Sequence, residues 1–179
     1  QHGRVAASLL AVWQAARNPD YLREAATQFG NDPQVQFAVL ATDAFPENRT
    51  KWIALFKQSS PNNPLPDFFA AHDSFRQNQT EQAVAEMLAA SSKQGLEDYT
   101  VASFEEREAL FLTAGVPPTE ARGEVFAVTF PTLQAYLGMM RALGQETITA
   151  QAAYSAADDP ASHGTRRPAA RGSAAARLV

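Results

Sequence analysis

The chain has 179 residues, no cysteine, and 15 Lys and Arg against 19 Asp and Glu, for a net charge of −4. That length suits one domain with a sizeable core, and 45% hydrophobic against 19% charged residues argues against wholesale disorder. The missing cysteine excludes disulfides, zinc–thiolate centres, iron–sulfur clusters and a cysteine nucleophile, and the acidic balance argues against general nucleic-acid binding.

Helical spacing dominates from the start of the chain, and no segment alternates with a period of two. Val5, Leu9, Val12, Trp13 and Ala16 predict a first helix, stopped by Asn18-Pro19. Leu22, Ala25, Ala26 and Phe29 predict a second, closed by Gly30 as a left-handed terminator. Asp32-Pro33 supplies a cap and a first-turn proline for a third helix carrying Val35, Ala38, Val39 and Thr42. A fourth, about 47–57, presents Trp52, Ile53 and Phe56. Asn63-Pro64 opens a fifth with Leu65, Phe68, His72 and Phe75 on one side. After a turn at Asn78, Thr80 is read as the cap of a sixth helix holding Ala83, Val84, Met87 and Leu88. The seventh ends at Gly115. It starts either at the capping box Ser103-Phe104-Glu105-Glu106 or further back at Val101. Pro118 begins a helix with Ala121, Val125 and Val128, and Pro131 begins a last one with Leu133, Tyr136, Leu137, Met140 and Leu143. The expected fold is all-α, with about eight to nine helices in antiparallel hairpins. The similar hairpin lengths favour a stacked array over a closed bundle.

Charge divides the chain. Residues 163–179 hold four Arg and no acid, which leaves −8 on residues 1–162. We read an acidic helical domain over 1–157 and a flexible Ala/Arg-rich tail over 158–179, whose scattered Arg lack the interleaved aromatics of a nucleic-acid arm. The longest N-terminal apolar run, Val5 to Trp13, is too short to span a bilayer. The chain opens on Gln1, so an upstream signal or anchor stays open, and with it the compartment.

Two helix starts 31 residues apart carry the repeat. Asp32-Pro33 with Phe37 and Asn63-Pro64 with Phe68 place cap, proline and Phe in register. Over Asn63 to Ser91 the sequence resembles a tetratricopeptide repeat. Ala71, Ala83 and Ala90 fall where that family has small residues, Met87 where it has an aromatic, Asn78 at its turn glycine, and Pro61 at the proline that closes a unit. It departs at Asp67, Ala70 and Ser74, where the family has Trp, Leu and Tyr. The resemblance implies right-handed stacking and a scaffold whose first helices line a concave groove for a peptide or protein surface. Leu65, Phe68, His72, Phe75 and Arg76 fall on groove positions, with Phe37 the counterpart one unit earlier. The carboxylate-clamp subtype is not matched, because Phe68 and His72 stand where it has polar grips. An apolar groove suits the Phe residues better. The same spacing is equally that of a buried stripe, and in a short array flanking helices can fill the groove themselves.

Catalytic chemistry finds little footing. His72 is the one histidine within the helical pattern, and Phe75 and Arg76 occupy the positions where a metal site would need ligands. Glu105, Glu106 and Glu108 read as a solvated face. Asn48-Arg49-Thr50 and Asn78-Gln79-Thr80 match glycosylation sequons but serve caps and turns. The expectation is a non-enzymatic interaction module, adaptor or accessory subunit, needing no metal or cofactor and binding protein or peptide. The alternative is a small-molecule or lipid-binding helical protein with a closed apolar pocket, or an enzyme built on one, in which His72 and Trp52 would be the first residues to inspect.

Overall fold

The computed structural model describes residues 5–157, the side chains of residues 128–136, 139, 156 and 157 excepted. The predicted tail over 158–179 lies outside the described residues. These form α1 (Ala6–Ala16), α2 (Pro19–Gln28), α3 (Pro33–Ala41), a 3-10 turn (Pro46–Asn48), α4 (Arg49–Ser59), α5 (Leu65–Arg76), α6 (Thr80–Ser91), α7 (Thr100–Thr113) and α8 (Pro118–Ala157). There is no strand among them, so the chain is all-α.

Local chemistry accounts for most helix starts. Asn18 Oδ1 accepts the Asp20 N–H at 2.9 Å, and Pro19 occupies the first turn of α2. Asp32 Oδ1 accepts from Gln34 at 2.8 Å and Val35 at 3.4 Å at the head of α3. Ahead of α7, Asp98 Oδ1 accepts the Thr100 N–H at 3.0 Å, and the N-cap residue Tyr99 makes no side-chain cap bond. Ser103 therefore lies inside the helix and opens no capping box, and its hydroxyl donates to Gln14 Oε1 on α1 instead. Thr80 is the first residue of α6, and no side chain caps that helix.

Helix ends differ from expectation in two places. Gly30 is not left-handed; a Cβ there would lie 2.8 Å from the Ala26 carbonyl oxygen, so space rather than φ excludes a side chain. The left-handed residues are Arg17, Asp43, Asn78, Tyr99 and Gly115, and Asn78 (φ 60°) fills the turn as the sequence suggests. The break expected at Pro131 is absent, because α8 runs unbroken from 118 to 157. A proline inside a helix removes one backbone hydrogen bond and crowds the carbonyl four residues back, at a cost of about 3 kcal/mol. Both flanks of α8 are anchored, by Ala121 and Val125 on one side and Leu143 on the other, all fully buried.

Three hairpins, α1/α2, α3/α4 and α5/α6, follow one another, with α2 against α3, α1 against α3 and α4 against α5. The chain then turns back on itself. α7 packs on α1, and α8 packs on α7, α5 and α3, so the first helix of every hairpin meets the α7–α8 pair. One core cluster holds Leu9, Leu10, Leu22, Val35 and Val39; the other holds Leu40, Ile53, Phe56, Leu65 and Phe69. Trp52 packs against both.

Candidate functional site

The groove positions on α5 have separate fates. Leu65 is fully buried in the second core, and half-buried Phe68 packs against it. Phe75 faces α8 across a hollow of about 430 Å³ shared with Ala150, Ala153 and Tyr154. Arg76 is exposed. His72 is half-buried, with its Nδ1 3.6 Å from Asp73 Oδ1. Phe37 is half-buried on α3, its ring 6.3 Å from that of Phe69 and 5.8 Å from that of Tyr99. Phe69, which the sequence stripe passed over, carries the buried aromatic role on α5. Phe37 and Phe75 line separate hollows, and α7 and α8 pack on the first helices of the hairpins.

Two ion-pair groups lock the hairpins. Arg49 Nε donates to Asp73 at 3.0 and 2.8 Å, and its Nη1 donates to the Leu40 carbonyl and to Asp43. The guanidinium also lies 5.6 Å over the Phe69 ring. Burial pushes the Asp73 carboxyl up, but His72 and Arg49 together hold it below its ordinary value. Asp67, standing where the repeat has Trp, is buried between Lys57 Nζ (3.1 Å) and Lys93 Nζ (2.5 Å), and Glu86 shares Lys57. Burial pulls the Lys57 ammonium down, yet Glu86 and Asp67 outweigh it and leave its pKa raised. Both groups bind element to element.

A different place has the features of a binding site. Where α1, α3 and the start of α7 meet, a recess of about 50 Å³ is walled by Leu10, Trp13, Phe37, Ala38 and Tyr99. Arg107 and Glu106 supply its polar side, with Gln14, Gln34 and Ser103 beside them. Tyr99 is set into the wall by its left-handed backbone and by a 3.2 Å bond between its hydroxyl and Ser60 Oγ. The segment before it is pinned by Asn63, whose Nδ2 donates to the Glu97 carbonyl at 2.8 Å.

Arg107 is the anomaly. It is the one fully buried side chain of α7, at 1% exposure. Its Nε donates to the Ser103 carbonyl at 2.8 Å, but its Nη1 is buried with no hydrogen-bond partner. Leaving a buried donor unmade costs about 1–3 kcal/mol, and more for a charged group. Among the described residues no carboxylate lies within ion-pair distance of it. Glu106 takes a 3.5 Å bond from Gln34 Nε2, and Asp98 Oδ1 caps Thr100. Burial, reinforced by the Arg17 guanidinium and opposed by Glu106, lowers the Arg107 pKa to about 10, which leaves it charged at neutral pH. Burial likewise raises the Glu106 carboxyl.

The sequence did carry a signal for this residue. Ser103, Arg107 and Leu110 recur at helical spacing, so the cation sits on the inward stripe of α7, but its neighbours Glu105, Glu106 and Glu108 disguise the run as a solvated face. Glu105 is exposed, whereas Glu108 pairs with Arg122 of α8 at 2.7 Å. No group of His, Asp and Glu among the described residues could hold a metal, and no helix there is long and apolar enough to cross a membrane. Comparison with family models, curated proteins and solved structures found no match to this chain.

Proposed function

We propose that the chain is a non-enzymatic interaction module, tetratricopeptide-like in its hairpins, that binds a peptide or protein surface as an adaptor or accessory subunit. The likeness is supported by packing as well as by sequence. Ala71 and Ala83 are completely buried and Ala90 nearly so, at the positions where the repeat brings its helices close. Asn78 is left-handed at the glycine position. In this reading the recognition site has moved from the α5 face, which meets α8, to the recess between α1, α3 and α7. The observation that carries it is the combination in one opening of aromatic walls and an unsatisfied buried donor. A recess of about 50 Å³ admits one protruding group of a partner and is too small for an acyl chain, which disfavours the lipid-carrier alternative.

The test uses Thr42, an exposed residue lining the recess at the end of α3. Peptides selected from a displayed random library against the full chain are measured by fluorescence anisotropy against wild type and Thr42→Trp. The expected result is a loss of about tenfold or more in affinity in the variant with unchanged circular dichroism. Equal affinity for both proteins would place recognition elsewhere.

A further inference from the structure

Resting on that reading of the recess, we infer that it is a monocarboxylate site: it receives a single –CO2− group carried on roughly two or three carbons, with Arg107 Nη1 as its donor. Three observations point to this chemistry. A guanidinium presents a planar fork that matches a carboxylate, and here one prong is spent on the Ser103 carbonyl while Nη1 is buried and unmet. The space is too small for a nucleotide or a sugar, and its walls of Leu10, Trp13, Phe37 and Ala38 suit a short apolar stem. Glu106 and Asp98 also line the recess, so a dianion such as phosphate would meet about twice the repulsion that a single charge meets. Water could fill the volume and satisfy the donor, but it would leave the buried charge uncompensated. The carboxylate can come from a free short-chain acid or from an acidic side chain on a partner peptide, and the chemistry is the same.

The full chain, labelled with nitrogen-15, is titrated at constant ionic strength with propionate, with propionamide, and with glutamate blocked at both its amino and α-carboxyl groups. The resonance followed is the indole N–H of Trp13, which lines the recess. Saturable movement with propionate but not propionamide, and an affinity at least about tenfold weaker in Arg107→Met, is the expected result. Movement with blocked glutamate as well assigns the site to a peptide-borne carboxylate, whereas movement with propionate alone assigns it to a free acid. Equal movement with the amide, no saturable movement with either acid, or an unchanged affinity in Arg107→Met overturns the proposal. Where Arg107→Met fails to fold, Arg107→Lys, which keeps the charge and loses the fork, gives the same reading through an affinity lowered several-fold. The two ideas fail separately. Peptide binding lost in Thr42→Trp but intact in Arg107→Met removes the carboxylate and leaves the module, while peptide binding intact in Thr42→Trp removes the module's recess.

Discussion

Arg49 and Asp67 show how single polar residues hold neighbouring hairpins in this chain. Arg49 at the head of α4 reaches the carbonyl of Leu40 on α3 and the carboxylate of Asp73 on α5, so one side chain ties three helices. Because the Asp73 carboxyl is held below its ordinary value of 3.8, its contribution to stability is complete above that pH and is lost as pH falls through the lower folded value. Urea unfolding from pH 7 down to pH 2 should show that loss. Arg49→Met should be less stable at pH 7 and show a smaller drop in the acid range, since only His72 then favours the charged carboxylate. Asp67 is the deeper group. Removing it leaves Lys57 with Glu86 and Lys93 with the Asn63 carbonyl alone, and Asp67→Ala should lower unfolding free energy by about 1–3 kcal/mol in urea titrations at neutral pH. The sequence showed Asp67 only as a departure from the repeat. It could not show that two lysines, ten residues before it and 26 after, would converge there, because that convergence depends on how three elements pack.

At the scale of elements, the helix starts were the most legible feature. Asp32-Pro33 acts within two or three residues of itself, so the cap and the chain it caps are read together, whereas Asn18-Pro19 reads only as a stop and Thr80 and Ser103 cap nothing. Ends were less legible, because a glycine can be required for conformation or for space. At Gly30 it is space, with the Ala26 carbonyl oxygen 2.8 Å from where a Cβ would sit and Trp52 behind it. Gly30→Ala should therefore lower the thermal midpoint by several degrees, equivalent to about 1–2 kcal/mol, even though φ is permissive. Asn78→Val should cost a similar amount for the opposite reason, a β-branched side chain forced to a φ of 60°. Thermal melts of both, with Asn78→Gly as a control expected near wild type, separate the two causes. α8 is the element the sequence misjudged. Pro118 and Pro131 look alike as helix openers, yet the first begins α8 and the second lies within it. Propensity at one residue is weaker than packing on either side of it.

For the whole molecule, the return of α7 to α1 and of α8 to α5 and α3 decides which surfaces remain for partners. α8 spans 40 residues, about 60 Å of helix, and Leu143 is its fully buried anchor on the far side of Pro131. Leu143→Ala should cost about 2–4 kcal/mol. If α8 is held by that anchor, native-state hydrogen exchange in the variant should rise first in α8 and then in α5, before α2 or α4 respond. Uniform loss of protection across all helices would show instead that the hairpins and α8 unfold as one unit. Phe126, Ile148 and Tyr154 stay largely exposed on α8.

The sequence by itself determined the all-α class, the order of the hairpins, the Asp32 cap and the left-handed turn at Asn78. These rest on interactions between residues one to four apart, which any reading along the chain can see. Only the tertiary structure decided that α7 comes back to α1. That contact joins residues some 90 positions apart, as the bond from Ser103 to Gln14 shows, and no local pattern encodes it. It makes an arginine in an acidic run into the charged floor of a recess, while α8 packs on the α5 helix that was expected to line the groove. The acidic, cysteine-free composition excluded several chemistries at the outset. The fold then added one cation, Arg107, buried where composition alone would place it in water.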